Sequence, residues 1–92
     1  MIAHGRVTAT IAATPQKISE MFNELSVARL TALNGNLNRI AIGNKDVNAS
    51  YDRGQGIFLY ANEWVELSNV DLQKLWFDTV IIDDGLTWWA IV

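Results

Sequence analysis

The chain contains no cysteine, which excludes disulfide stabilisation, thiolate metal sites and a thiol nucleophile together. It has one histidine, His4, so no multi-histidine zinc spacing exists. A Ser-His-Asp arrangement would have to use that residue beside Gly5 near the terminus, where a lone imidazole is expected to be a solvated side chain. Charge is sparse as well: charged residues are 18% of the chain, and the net charge is −3. The seven basic residues are scattered, so no patch can neutralise a row of phosphates, and nucleic-acid binding is not expected. No apolar run approaches the roughly 20 residues that span a bilayer, and Met1–Arg6 lacks the basic-then-apolar pattern of a signal peptide. A location in the cytoplasm, or in a particle assembled there, is the expectation, with no membrane partner.

Apolar residues, by contrast, make up half of the 92 residues. A length of this order predicts one domain, residues 1–92, with about 5–14 kcal/mol of stability at ~0.05–0.15 kcal/mol per residue. Small domains expose proportionally more surface and should be more polar than average. This one is less polar. Some apolar surface is therefore expected to be buried against another copy or another protein, and a homo-oligomer follows as the simplest expectation.

The apolar residues recur with the period of a half-buried strand. Arg6–Ala12 alternates with Val7, Ala9 and Ile11 on one side, and Ser26–Leu33 alternates with Ala28, Leu30 and Ala32. Asn38–Ile42, Ile57–Tyr60, Trp64–Ser68, Leu75–Ile82 and Thr87–Val92 complete a set of about seven short strands. Asn34-Gly35-Asn36 and Asp83-Asp84-Gly85 carry the turn chemistry of tight hairpins. Thr14-Pro15 reads as a helix start with Ile18, Met21, Phe22 and Leu25 at helical spacing, which predicts up to two turns of helix between Pro15 and Leu25, against an irregular excursion as the alternative. Gly43–Gly56 is polar and reads as a loop or loosely paired excursion. The fold class is all-β: a small antiparallel sandwich or jelly-roll-like barrel, with no βαβ units.

Nothing in this pattern assembles a catalytic centre. Asp46, Asp52, Asp71, Asp78, Asp83 and Asp84 could offer oxygen ligands, but no run resembles a calcium loop, and Asp83-Asp84-Gly85 reads better as a turn. Gly54-Gln55-Gly56 is too short to cradle a phosphate and no helix follows it. No enzyme activity, cofactor, metal or small-molecule substrate is expected.

The aromatics remain. Four tryptophans occur, and Trp64, Trp76 and Trp88 are twelve residues apart, the length of one strand plus one turn. On Leu75–Ile82 and Thr87–Val92 both faces are largely apolar, although a sheet with one wet side should show one polar face. Something must cover the outer face, or the face is itself an interface. Trp64, Trp76, Trp88, Trp89, Ile82 and Ile91 are the candidate interaction residues, because tryptophan buries a large area while keeping a polar tip. The competing reading places these tryptophans in the core.

Ile42-Gly43, then Asp46-Val47-Asn48-Ala49-Ser50, Ile57-Phe58-Leu59, a turn, and Trp64-Val65-Glu66-Leu67 form an ordered series. Val70–Leu75 follows it, and Ala13–Lys17 breaks the opening strand. This series resembles small β-sandwich structural proteins of tailed bacteriophages. The chain departs from them at Ala61-Asn62-Glu63, which lacks a glycine, and at Ile18–Leu25, which looks more helical. The resemblance implies a non-enzymatic virion protein, foremost a capsid decoration or cement protein that self-associates and binds other virion proteins of the capsid or tail. Its alternatives are a tail-associated carbohydrate- or receptor-binding module and a small inhibitor of a host protein.

Overall fold

The computed structural model describes residues 2–20 and 27–91. Among these residues, eight strands form two antiparallel sheets: β1 (Ile2–Thr8), β2 (Gln16–Lys17), β3 (Val27–Ala32), β4 (Ile40–Gly43), β5 (Ile57–Leu59), β6 (Trp64–Ser68), β7 (Trp76–Thr79) and β8 (Gly85–Ile91). One sheet has the order β1-β8-β3-β6, the other β2-β7-β4-β5. Among consecutive strands only β4 and β5 are paired with each other. Every other connection carries the chain from one sheet to the other. Four strands per sheet, interleaved in this way, give the jelly-roll form of the β-sandwich.

The alternating residues do what their period requires. Ala28, Leu30 and Ala32 of β3 face inward and meet Ile40 and Ile42 of β4, Phe77 of β7, and Leu86, Trp88 and Ala90 of β8. This is the inter-sheet core. Trp88 fits there because its partner across the β1–β8 pair is Gly5. A Cβ at Gly5 would lie 2.8 Å from three atoms of the Trp88 indole, so only a residue without a side chain leaves room for the ring. Gly5→Ala is expected to cost about 1–3 kcal/mol by overpacking. Denaturant unfolding with near-ultraviolet dichroism of the tryptophans would check it, an unchanged midpoint counting against this packing.

Several expectations need correction. The strand expected from Arg6 begins at Ile2, and His4 lies within β1, exposed but paired with Trp89. Gln16–Lys17, at the start of the expected helix, pairs with Phe77 and Trp76 as β2. Pro15 therefore precedes a short edge strand, where its missing N–H is harmless; residues 21–25 of that helix lie outside the described residues. Neither turn motif closes a hairpin. Asn34-Gly35-Asn36 leads from β3 in one sheet to β4 in the other, and Asp83-Asp84-Gly85 leads from β7 to β8 in the same manner. Their polar side chains have non-local work instead. The Asn36 amide pairs with the Gly85 backbone, donating to its carbonyl and accepting from its N–H, both at 2.9 Å. The Asp84 carboxylate accepts the N–H groups of Leu37 and Asn38 at 2.9 and 3.0 Å.

Candidate interaction surface

The two outer sheet faces have different fates. On the sheet containing β7, Trp76, Asp78 and Val80 point away from the core. The loop of residues 44–56 folds back over them, and Val47 and Ala49 pack with Ala41, Phe58, Trp76 and Val80 in a second apolar cluster. Gly56 permits this return: its φ is +123°, and a Cβ there would lie 2.7 Å from the Ile42 carbonyl oxygen. The Asn48 and Gln55 backbones exchange two hydrogen bonds at 2.9 Å, so the loop is a loosely paired excursion. Arg39 anchors its tip, donating Nε–H to Ala49 O at 3.0 Å and a terminal N–H to Ser50 O at 2.7 Å. Its guanidinium stacks 3.9 Å from the Phe58 ring centroid and 4.3 Å from that of Tyr51. The Tyr51 hydroxyl donates to Asn38 Oδ1. Partial desolvation first, and the adjoining Tyr60 second, push that phenol above its ordinary pKa, although more than half of the residue stays exposed.

Among the described residues, no loop folds over the outer face of the other sheet. In register across β1, β8, β3 and β6 run two rows: Ile2, Ile91, Val27, Ser68 and His4, Trp89, Arg29, Glu66. Trp64 stands at the β6 end of the next row, with 54% of its surface exposed. The Arg29 guanidinium lies 4.0 Å from the Trp64 ring centroid and 5.6 Å from that of Trp89. One of its nitrogens is 3.2 Å from Glu66 Oε1. That ion pair is partly exposed and adds little by itself. Stacking adds about 0.5–2 kcal/mol and fixes the rings. The result is an aromatic and aliphatic patch with its orientation set by one cation.

A second apolar group sits at one end of the sandwich. Ile11, Leu37 and Ile82 are exposed there, on the β1–β2, β3–β4 and β7–β8 connections. These connections are tied together: Ala9 donates to Asp84 O, Asp83 donates to Ala9 O, and Asp84 holds Leu37 and Asn38. Leu37 is 80% exposed although its backbone is bonded to a buried carboxylate. A large apolar side chain is thus held in water by a rigid loop.

The six candidate residues fall in four environments. Trp64, Trp89 and Ile91 share the outer face of β1-β8-β3-β6, and Ile82 lies at the loop end. Trp76 is half-buried under the loop of the opposite sheet. Trp88 is a correction: at 6% exposure it belongs to the core, because odd and even positions of β8 face opposite ways and Trp88 has the parity of Leu86 and Ala90. Sequence reasoning missed Arg29 and Leu37. The alternation Val27, Arg29, Thr31 opposite Ala28, Leu30, Ala32 does put Arg29 on the outer face, but its neighbours there come from β6 and β8.

Among the described residues, no three His, Asp or Glu side chains gather as a metal site, and no helix is long and apolar enough to cross a membrane. The chain matches no protein-family model, no curated protein and no solved structure. Fold and surface together define a small jelly-roll β-sandwich with one aromatic face that no described segment covers.

Proposed function

We propose that the protein is a non-enzymatic structural component of a tailed-bacteriophage particle, a capsid decoration or cement protein that self-associates and binds the particle surface. The observation that carries the reading is the outer face of β1-β8-β3-β6, which no described segment covers and which carries Trp64, Trp89, Ile91 and Ile2, while the opposite sheet is covered by its own loop. Burial of such a patch contributes about 25 cal/mol per Å² before the costs of association. Double-sheet jelly rolls occur among viral capsid domains, which fits the proposal as fold-level analogy. Repetition over a symmetric shell would multiply individually weak contacts.

The test is the solution mass by light scattering at micromolar concentration. A defined oligomer is expected, with Trp64→Ser and Ile91→Ser together returning it to monomer while the far-ultraviolet dichroism stays unchanged. A wild-type monomer at every concentration would remove self-association. Attention would then turn to Trp64 as a stacking platform for a sugar or receptor, the tail-associated alternative.

A further inference from the structure

A cleft of about 370 Å³ lies between the outer side of β7 and the loop of residues 44–56, lined by Ala13, Ser50, Tyr51, Asp52, Asp78 and Val80 among others. Its volume falls within the range of small-ligand sites. Asp78 is only 4% exposed. Its Oδ2 accepts the Ala49 N–H at 2.8 Å, whereas its Oδ1 is buried with no hydrogen-bond partner. Thr79, which also lines the cleft, has a buried hydroxyl in the same condition. Of the three buried side-chain atoms without a partner among the described residues, two therefore belong to lining residues. Leaving a buried acceptor unpaired costs about 1–3 kcal/mol, and more when it is charged. A native fold retains such a group where something else completes it.

The lining specifies the missing group. Two carboxylates, Asp52 and Asp78, face no lysine or arginine among the lining residues. The nearby Arg39 is committed to the carbonyls of Ala49 and Ser50. The occupant must donate, and positive charge is favoured. Asp78 has a single oxygen to give, since Ala49 holds the other, and a guanidinium fork would want two. A compact ammonium needs only one. Ala13 and Val80 supply apolar wall for a carbon stem, which lysine-like chains use to cross apolar surface.

We infer that this cleft binds an alkylammonium group, with the ammonium donating to Asp78 Oδ1 and Asp52 adding negative charge at the exposed rim. The same chemistry could arrive as the lysine side chain of another protein or as a free alkylamine. The site lies on the sheet opposite the one carrying Trp64 and Trp89, so it is independent of the self-association reading.

Two-dimensional amide NMR of the full chain, titrated with pentylamine, 1-pentanol and a lysine blocked at both backbone ends, tests this. Pentylamine is expected to shift the Ala49 and Asp78 amides saturably, and pentanol to bind about tenfold more weakly or worse. Asp78→Asn keeps an acceptor for Ala49 while placing an NH₂ where Oδ1 stood, and should weaken pentylamine about tenfold or more. Should that variant fail to fold, Asp52→Asn on the exposed rim carries the test, with about threefold weakening expected. Tighter binding of blocked lysine assigns the site to a protein partner, and tighter binding of pentylamine to a free amine; either supports the inference. Equal affinity for alcohol and amine, the absence of saturable shifts at millimolar amine, or wild-type affinity in the folded variants would overturn it.

Discussion

Replacing Gly85 with alanine is expected to lower the unfolding temperature by at least ~10 °C, a destabilisation of about 3 kcal/mol or more. Gly85 opens β8 directly opposite Thr8. An added Cβ would collide with the Val7 carbonyl oxygen and lie 2.8 Å from Thr8 Cα. Those are backbone atoms, which no rotamer change can move aside. Relief requires β1 and β8 to separate where the Asn36 amide also grips Gly85 through both its N–H and its C=O. In a domain holding about 5–14 kcal/mol, a loss of that size is a large fraction. Thermal unfolding by circular dichroism measures it, and a shift under ~3 °C would mean that the strands part without penalty. Gly35→Ala is the matched control, since nothing lies within 4 Å of a Cβ there.

How far the architecture could be read in advance depended on whether its cause was local. Strand alternation is local, so β3, β4 and β6 stand close to where the period of two put them, with Leu30, Ile40 and Ile42 inward. Turn chemistry is local too, and Asp83 and Asn62 adopt the positive φ such turns need, +71° and +68°. Whether a turn returns to the same sheet or crosses to the other is decided by partners far along the chain. Asn34-Gly35-Asn36 therefore looked like a hairpin and is a crossover clamped onto Gly85, 49 residues away. The two residues of β2 could not be seen beside the helical spacing of Ile18, because two residues carry no period. Trp64, Trp76 and Trp88, twelve apart, occupy an exposed face, a loop-covered face and the core respectively, so their spacing carries no repeat.

The apolar excess on both sides of β7 and β8 has two separate explanations. For β7 the covering element is intramolecular: Val47 and Ala49, from a segment whose polar composition gave no hint of it, close over Trp76 and Val80. For β8 the outer residue Trp89 lies under the Arg29 guanidinium, and among the described residues no loop closes over Trp89 and Ile91 as residues 44–56 do over β7. Among the described residues one sheet is covered by a loop of the chain itself and the other is not, and that second side is where association is expected.

Asp84→Ala is expected to produce the second large effect. Asp84 is 3% exposed, and its two oxygens satisfy the Leu37 and Asn38 amides. Hydrogen bonds to a charged group contribute about 1.5–3 kcal/mol each, so removing both should cost about 3 kcal/mol, or at least ~10 °C in unfolding temperature. Asparagine, with one acceptor, should lose about half of that. The consequence extends beyond stability. Asn38 Oδ1 receives the Tyr51 hydroxyl, and Tyr51 lines the Asp78 cleft, so the carboxylate that presents Leu37 at the loop end also steadies a wall of the opposite sheet's cleft. Hydrogen exchange should therefore quicken together at Leu37, Asn38 and the backbone of residues 49–53 in Asp84→Ala. Faster exchange confined to Leu37 and Asn38 would show that the two sites are not connected through this path, and a loss under ~4 °C would mean that water replaces the carboxylate at little cost.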